Sequence, residues 1–205
     1  MKLYFIPFAC SLATRIAVIE AGLDAQFIQV APDAMLADGR PFRAISPMGY
    51  VPALEVGTGL ALTEGPAVLS YIADLAAEGV LAPSLVSDER YRMAMWLNFI
   101  ATELHKAVFT PLMSKSAGEA ERTAARARAP RSLGVLDTHL AEGRPFLIKT
   151  FSVADAYLLA VLNWCEHAGV PIRDWPNVAA WRASMRERPS VARAMAEEMP
   201  LLKAA

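Results

Sequence analysis

Residues 2–12 read Lys2-Leu3-Tyr4-Phe5-Ile6-Pro7-Phe8-Ala9-Cys10-Ser11-Leu12, and within them an extended pattern changes into a helical one. The run 2–6 predicts a strand, and the apolar stripe that starts at Leu12 and stops before Gly22 predicts a helix. Cys10 therefore falls at a strand-to-helix turn, where the first helical N–H groups lack partners and the helix dipole is positive. Such a position stabilises a thiolate, either of Cys10 itself or of a thiol ligand bound beside it. The stretch predicts sulfur chemistry.

The first 80 residues alternate between strand-like and helical segments. A helix over 11–21 is followed by a predicted strand at 26–30 and by an irregular stretch over 31–50 with one short helix. Two short strands, 53–56 and 60–63, flank Gly57-Thr58-Gly59 and predict a hairpin, after which residues 64–77 predict a helix. This order predicts a right-handed β-α-β unit and an antiparallel pair in one mixed sheet.

Beyond a linker predicted at residues 80–87, the pattern indicates helices alone. The expected domains are therefore an α/β unit over 1–79 and an all-helical unit over 88–205. The helices predicted in the second unit span residues 88–115, 118–141, 153–168, 175–187 and 190–198.

The composition argues against several classes of protein. A net charge of −1 over 205 residues disfavours a nucleic-acid partner. No apolar run reaches the roughly 18 residues that a membrane span needs, so we expect no membrane partner and no secretory signal. Cys10 and Cys165 are far apart in sequence, which predicts free thiols in a reducing cytoplasm. The charge is uneven, with 4 Lys/Arg against 8 Asp/Glu in residues 1–80, and 16 against 13 in residues 81–205.

Two turns have the features of a ligand site. The bond between Val51 and Pro52 joins a loop to a strand; a trans bond would simply end the loop, whereas a cis bond would turn the backbone of Val51 outward to pair with an extended ligand. Glu64 and Gly65 open a helix whose free N–H groups would bind a carboxylate. The carboxylate of Glu64 would either meet an ammonium group or only complement the helix dipole.

The helix that begins near Asp88 has two stripes. One is apolar and predicts the core-facing side; it comprises Met93, Trp96, Leu97, Ile100, Leu104 and Val108. The other is of mixed polarity and predicts a cleft wall; it comprises Tyr91, Met95, Asn98, Thr102, His105 and Phe109. His105 would point along this wall, whereas a lone histidine is more often a surface or interface residue.

Two further motifs favour structural roles. Ser152 and Asp155 predict a capping box at the start of a long apolar helix, so Asp155 is expected to stabilise the fold and not to catalyse. The arginines spaced along one helix predict a solvated face, because no aromatic residues lie between them; they are Arg122, Arg126, Arg128 and Arg131.

Together and in order, these segments resemble the glutathione transferase family, most closely its bacterial, cysteine-containing beta class. The resemblance spans nearly the whole chain. It is carried by residues 1–4 (MKLY), 9–12 (ACSL), 47–54 (PMGYVPAL), 62–67 (LTEGPA), 96–106 (WLNFIATELHK) and 151–157 (FSVADAY).

The resemblance implies a thioredoxin-like N-terminal domain, an all-helical C-terminal domain, a homodimer and glutathione as co-substrate, with no metal. It implies a cis bond before Pro52. The catalytic residues implied, all near the glutathione sulfur, are Cys10, Ser11 and His105. Those implied to bind glutathione are Tyr50, Val51, Pro52, Glu64, Gly65, Asn98 and Glu103, the last of them across the dimer. A small apolar electrophile would then lie against Phe8, Tyr91, Met95 and Phe109.

The chain departs from the beta-class pattern at two places. Phe8 stands where many members have a glycine, and the loop around Met35 lacks the lysine that holds the glycyl carboxylate of glutathione. Arg40 is the alternative cation for that carboxylate. Three functions stay open at this point: conjugation of glutathione to apolar electrophiles, a glutathione-dependent thiol-disulfide exchange that uses Cys10, and a non-catalytic carrier of apolar ligands.

Overall fold

The N-terminal part of the computed structural model, which describes residues 1–31, 33–57 and 59–204, is built on a four-stranded mixed sheet. The strands are β1 (Lys2–Phe5), β2 (Gln26–Gln29), β3 (Ala53–Glu55) and β4 (Ala61–Leu62), in spatial order β2-β1-β3-β4. β1 is parallel to β2 and antiparallel to β3, and β3 is antiparallel to β4. The predicted β-α-β unit and mixed sheet are confirmed. Thr58, in the predicted hairpin turn, and Pro32, in the predicted irregular stretch, lie outside the described residues.

Helices pack on the sheet and form the remainder of the fold. Their bounds are α1 (Leu12–Glu20), α2 (Gly65–Leu75), α3 (Asp88–Phe99), α4 (Thr110–Met113), α5 (Glu119–His139), α6 (Val153–Leu162), α7 (Pro176–Arg186) and α8 (Pro189–Ala204). Short 3-10 helices lie at Phe42–Ala44, Ala141–Gly143 and Ile172–Asp174. After α2, the described part of the chain contains no strand, in agreement with the predicted α/β and all-helical units.

The helix predicted over 88–115 changes its winding in the middle. Between α3 and α4, residues Ile100–Phe109 form a π-helix, and the N–H of Thr110 bonds to the carbonyl of His105, five residues before it. A π-helical segment advances the chain by fewer degrees per residue than an α-helix, and such segments are frequent at functional sites. Leu104 and Val108 stay on the buried face that α-helical spacing predicts, whereas Phe109, at the end of the segment, departs from its predicted face.

Two predicted helix ends were wrong. The helix predicted over 153–168 ends at Leu162, and the chain then turns through Gly169, whose φ of +70° suits glycine. The last helix, predicted to end at Glu198, continues past Pro200 to Ala204. Met199 and Leu202, in these added turns, are exposed, so the extension lies outside the buried part of the helix.

One apolar core joins the two parts of the chain, with α6 at its centre. All ten residues of α6 are buried, and α6 packs directly on α1 of the sheet-containing part. The start of α6 is held by Asp155, whose carboxylate accepts hydrogen bonds from the N–H and hydroxyl of Ser152 and from the N–H of Leu147. Burial raises the pKa of Asp155 to about 6, although these three hydrogen bonds lower it. Asp155 has the structural position that the sequence predicted.

The C-terminal helix holds the loop that carries Cys10. Glu198 in α8 is fully buried and accepts one bond from the N–H of Phe8 and another from Nε of Arg15. The guanidinium of Arg15 also lies over the rings of Phe5 and Phe27, 4.4 and 3.9 Å from their centroids. A buried charge is tolerated only when it is paired in this way. α8 therefore fixes the turn between β1 and α1 from a distance of some 190 residues in sequence.

Three of the four arginines that were predicted to form a solvated face are exposed to solvent. Arg126, Arg128 and Arg131 are exposed, but Arg122 is half-buried and donates to the carbonyl oxygens of Leu112 and Ser114. Its guanidinium closes the turn between α4 and α5. No helix of the described residues is both long enough and apolar enough to cross a membrane.

Candidate active site

A cleft of about 340 Å³ lies between the sheet-containing part and the helical part. It brings together Cys10, Val51, Glu64 and His105, which the sequence predicted from four separate segments. Its wall on the first side consists of Cys10, Ser46, Pro47, Met48, Tyr50, Val51, Pro52, Thr63, Glu64, Gly65 and Pro66. The opposite wall consists of Ala101, Thr102, His105, Lys106 and Tyr157.

Cys10 lies at the bottom of this cleft as a neutral thiol. Its Sγ donates a hydrogen bond of 3.1 Å to the carbonyl oxygen of Val51, and only 9 % of the residue is exposed. Burial raises the pKa of the thiol to about 11, although the charge of Lys106 and the N–H groups of Cys10 and Ser11 oppose this. For Cys10 itself, burial outweighs the start of α1.

The Val51–Pro52 bond is cis, as the resemblance implied. It follows a tight loop in which the hydroxyl of Ser46 donates to the carbonyl oxygen of Tyr50 at 2.9 Å. Gly49 has a φ of +73° in this loop, a conformation that a side chain would strain. The loop presents Val51 and Pro52 to the cleft directly beside Cys10.

The start of α2 forms the second binding surface. Glu64 takes a φ of +67° at the N-cap position, and the helix begins at Gly65 with Pro66 in its first turn. The first N–H groups of a helix have no partner within it, so this end is suited to a carboxylate. A Cβ at Gly65 would lie 3.8 Å from the hydroxyl of Tyr157, which shows how closely the helical part approaches.

His105 is held between two aromatic side chains, one from α6 and one from the segment that follows α6. Its Nδ1 lies 2.7 Å from the hydroxyl of Tyr157, and the ring of Trp164 is 4.9 Å away, centroid to centroid. Burial, with a smaller effect from the charge of Lys106, lowers the pKa of His105 to about 4. His105 is therefore neutral at physiological pH, so it can form hydrogen bonds but carries no charge.

Lys106 and Tyr157 are cleft residues that the sequence analysis did not single out. Nζ of Lys106 lies 4.7 Å from the centroid of the Tyr50 ring, so the two side chains meet across the cleft. Lys106 follows His105 directly, and Tyr157 ends the motif 151–157. Both residues belong to segments that carry the family resemblance, and this resemblance is the sequence feature that could have identified them as site residues.

Three residues of the predicted cleft wall, and Glu103, lie on the outer surface of the helical part. Tyr91 and Met95 are 69 and 55 % exposed, and the amide of Asn98 donates to the carbonyl of Ala94 in its own helix. Glu103 is exposed next to Thr102. None of these four lines the described cleft. Tyr91, Met95 and Asn98 share a face that points outward before the π-helix begins, and Glu103, predicted to act across the dimer, is exposed within the π-helix.

The two phenylalanines predicted to face an electrophile are also placed differently. Phe109 is fully buried and packs edge-on against Trp164, since the π-helix turns it from the predicted wall into the core. Phe8 has a φ of +56° and is held by its backbone: its N–H donates to Glu198, and its carbonyl accepts from the indole of Trp164. Phe8 packs on the core and is absent from the described lining of the cleft.

Ser11 and Arg40 do not reach the cleft with their side chains. Ser11 is fully buried, and its hydroxyl exchanges hydrogen bonds with the backbone of Ile6, which closes the turn before α1. Arg40 is exposed and pairs with Asp38, whose pKa it lowers through hydrogen bonding. Lys106 is therefore the cation among the described lining residues. The described residues contain no group of three side chains arranged to hold a metal ion.

Comparison with known proteins agrees with this geometry. Residues 1–74 match the family model described as "Glutathione S-transferase, N-terminal domain", and residues 119–184 match "Glutathione S-transferase, C-terminal domain". The chain belongs to the glutathione transferase family. The glutathione transferase GstA of Escherichia coli O157:H7 is 38% identical over 97% of this chain and 98% of its own.

Solved structures of glutathione transferases superpose closely on this chain. The bacterial beta-class enzyme of Sphingomonas chungbukensis has a TM-score of 0.90 and 38% identity, over 97% of this chain and 98% of its own. A sphingomonad glutathione transferase solved in complex with glutathione has the same TM-score, identity and coverage. The α/β unit with its helical companion is thus the glutathione transferase fold.

Proposed function

We propose that this protein conjugates reduced glutathione to small apolar electrophiles by keeping the glutathione sulfur as a thiolate. One observation carries the proposal: the loop with the cis bond before Pro52, the start of α2, and His105 all face one cleft at Cys10. The first two surfaces suit an extended zwitterionic peptide. The third supplies a hydrogen-bond donor for the sulfur of that peptide.

The bound tripeptide would use both walls of the cleft. Its cysteinyl part pairs with the backbone of Val51, and its γ-glutamyl end meets Glu64 and the free N–H groups at Gly65. Lys106 supplies the positive charge for the glycyl carboxylate, because Arg40 is engaged by Asp38 outside the cleft. Lys106 would thus take the role of the lysine that is absent from the loop around Met35.

The site has enough stabilisation for an ionised thiol. A free thiol has a pKa near 8.5, and lowering it by two units needs about 2.7 kcal/mol of preference for the thiolate. A hydrogen bond to a charged group contributes about 1.5–3 kcal/mol, and a helix start about 0.3–1 kcal/mol. His105 and the turn before α1 are the groups that would supply these two contributions.

A pH titration of the thiolate absorbance of bound glutathione tests the proposal. We expect an ionisation midpoint at least one unit below that of free glutathione, together with turnover of an aromatic chloride. A midpoint equal to that of free glutathione, or no saturable binding of glutathione, would overturn it. Retention on immobilised glutathione gives a second check that does not depend on the choice of electrophile.

Thiol-disulfide exchange is a second candidate, because the Cys10 thiol itself lies in the cleft. In that reaction the Cys10 thiolate attacks the glutathionyl sulfur of a mixed disulfide, and the other sulfur leaves as a thiolate. A second glutathione then attacks the Cys10–glutathione disulfide, which releases Cys10 and yields oxidised glutathione. The raised pKa of Cys10 disfavours the first step at neutral pH. Cys10→Ala separates the candidates, since exchange needs this sulfur and conjugation does not.

We also propose a homodimer in the cytoplasm. Tyr91 and Met95 expose apolar surface on α3, outside the cleft. The acidic excess of residues 1–80 complements the basic excess of residues 81–205, which favours contact between unlike domains of two copies. Both cysteines are free thiols, in keeping with a reducing compartment. Light scattering of the wild type and of Met95→Glu tests the dimer: a monomeric wild type would overturn it.

A further inference from the structure

The hydroxyl of Tyr157 is the one hydrogen-bond partner of the His105 side chain among the described residues. The ring of Tyr157 is buried in α6, whose first turn is fixed by Asp155, so the hydroxyl has little freedom. The ring of Trp164 packs against His105 as well. The imidazole is therefore oriented by two aromatic side chains and by a single polar contact at Nδ1.

Both members of this hydrogen bond are neutral, so its direction depends on the tautomer of His105. Burial, with a smaller effect from the charge of Glu64, raises the pKa of Tyr157 above its ordinary value, so the phenol keeps its proton. Burial and the charge of Lys106 keep His105 neutral. A neutral imidazole has one N–H and one acceptor nitrogen. The phenol has no other acceptor among the described residues, so donation from its hydroxyl to Nδ1 is the arrangement that pairs its proton.

The other ring nitrogen then carries the proton of the imidazole. Nε2 of His105 has no hydrogen-bond partner among the described residues, and it is not among their buried unpaired polar atoms, so it is accessible. His105 lines the cleft that contains Cys10, Glu64 and Lys106. A sulfur bound in this cleft would find an N–H donor of fixed position.

We propose that Tyr157 is a positioning residue that holds His105 in the tautomer whose Nε2–H donates to the glutathione thiolate. The inference rests on the proposed function, since it names the residue that prepares the donor. In this proposal Tyr157 acts through the orientation of His105. Without its hydroxyl, the imidazole would divide between two tautomers, and only one of them offers a donor at Nε2.

Nitrogen NMR of the full-length protein, labelled at histidine, tests the tautomer without any ligand. We expect His105 to be protonated at Nε2 in the wild type and to become a mixture in Tyr157→Phe. His105→Gln assigns the signal. A wild-type His105 protonated at Nδ1 would overturn the proposal, whether or not the protein binds glutathione and whether or not Tyr157→Phe folds.

The ionisation of bound glutathione tests the consequence for catalysis. In Tyr157→Phe we expect the thiol midpoint to rise by about one unit, which corresponds to a tenfold loss of thiolate at a pH below the midpoint. kcat should fall with it, whereas KM for glutathione should stay within about twofold, because the binding surfaces are unchanged. Tyr4→Phe is the matched control, since the Tyr4 hydroxyl bonds to Glu55 in the sheet, outside the cleft.

A double variant shows whether the effect passes through His105. In the His105→Gln background, Tyr157→Phe should change the thiol midpoint no further. An equal rise in both backgrounds would overturn the proposal, as would a folded Tyr157→Phe with the wild-type midpoint. If the wild type does not ionise bound glutathione at all, the proposed function fails, while the tautomer measurement still decides the role of Tyr157.

Discussion

The thiol of Cys10 and the carbonyl oxygen of Val51 are joined by a hydrogen bond of 3.1 Å across the bottom of the cleft. Val51 precedes the cis bond, so the cysteine is tied to the backbone segment that we propose pairs with glutathione. The thiol donates only while it is protonated. Burial keeps it protonated well past neutral pH, and this separates Cys10 from the reactive cysteines that helix starts usually produce.

The first prediction concerns the reactivity of Cys10. Alkylation of Cys10 by iodoacetamide should accelerate about tenfold per pH unit up to pH 10, because the thiolate is the nucleophile and its pKa is about 11. Mass spectrometry of the Cys10 peptide gives the rate, and Cys165, which is fully buried, serves as the internal control. A rate that levels off below pH 8 would contradict the burial argument.

The second prediction concerns acid stability. In the unfolded chain His105 becomes protonated near its ordinary pKa of 6.5, whereas in the folded protein its pKa is about 4. Between these values the unfolded state binds more protons, so the free energy of unfolding falls as the pH falls. His105→Gln should remove this contribution, which denaturant titrations at several pH values would detect as a flatter profile.

Asp155 titrates in the same acid range with the opposite sign. Its folded pKa of about 6 lies above its ordinary 3.8, so folding gains stability as the pH falls between these values. The comparison of wild type with His105→Gln cancels this term, because Asp155 is present in both. A profile that is equally steep in the variant would show that His105 is already protonated in the folded protein.

The third prediction concerns the glycyl carboxylate. Lys106→Met should raise KM for glutathione about tenfold or more, in line with the loss of a charged hydrogen bond. Arg40→Met is the control, since Arg40 pairs with Asp38 on the surface and should leave KM within about twofold. Steady-state kinetics against glutathione at saturating electrophile decide between them. A larger effect at Arg40 would place the carboxylate at the loop around Met35.

The periodicity of apolar residues within single segments was sufficient to predict much of the fold. Strand and helix periodicity predicted the mixed sheet, and the stripe from Met93 to Val108 predicted core residues that are all buried. Each of these inferences depends on spacing within one segment, where side-chain direction follows directly from helix or strand geometry. The convergence of Cys10 and His105 on one cleft was predicted through the family resemblance.

The parts that sequence missed depend on tertiary packing. Phe109 was expected on the cleft wall by α-helical spacing, but the π-helix turns it into the core. The pairing of Arg15 with Glu198 joins residues 183 positions apart, and no local pattern reports it. The contact of the Tyr157 hydroxyl with His105 exists only in the folded chain, so no pattern within one segment predicts it.

The last prediction concerns the buried pair between Arg15 and Glu198. Glu198→Gln removes one of the charges that neutralise the guanidinium and weakens the bond to the Phe8 N–H, so the free energy of unfolding should fall by about 3–5 kcal/mol. Urea denaturation measures the change. Arg126→Ala is the control, since it breaks an exposed pair with Glu119 and should cost at most about 1 kcal/mol. An equal, small loss in both variants would mean that Glu197, which also contacts Arg15, suffices to hold the charge.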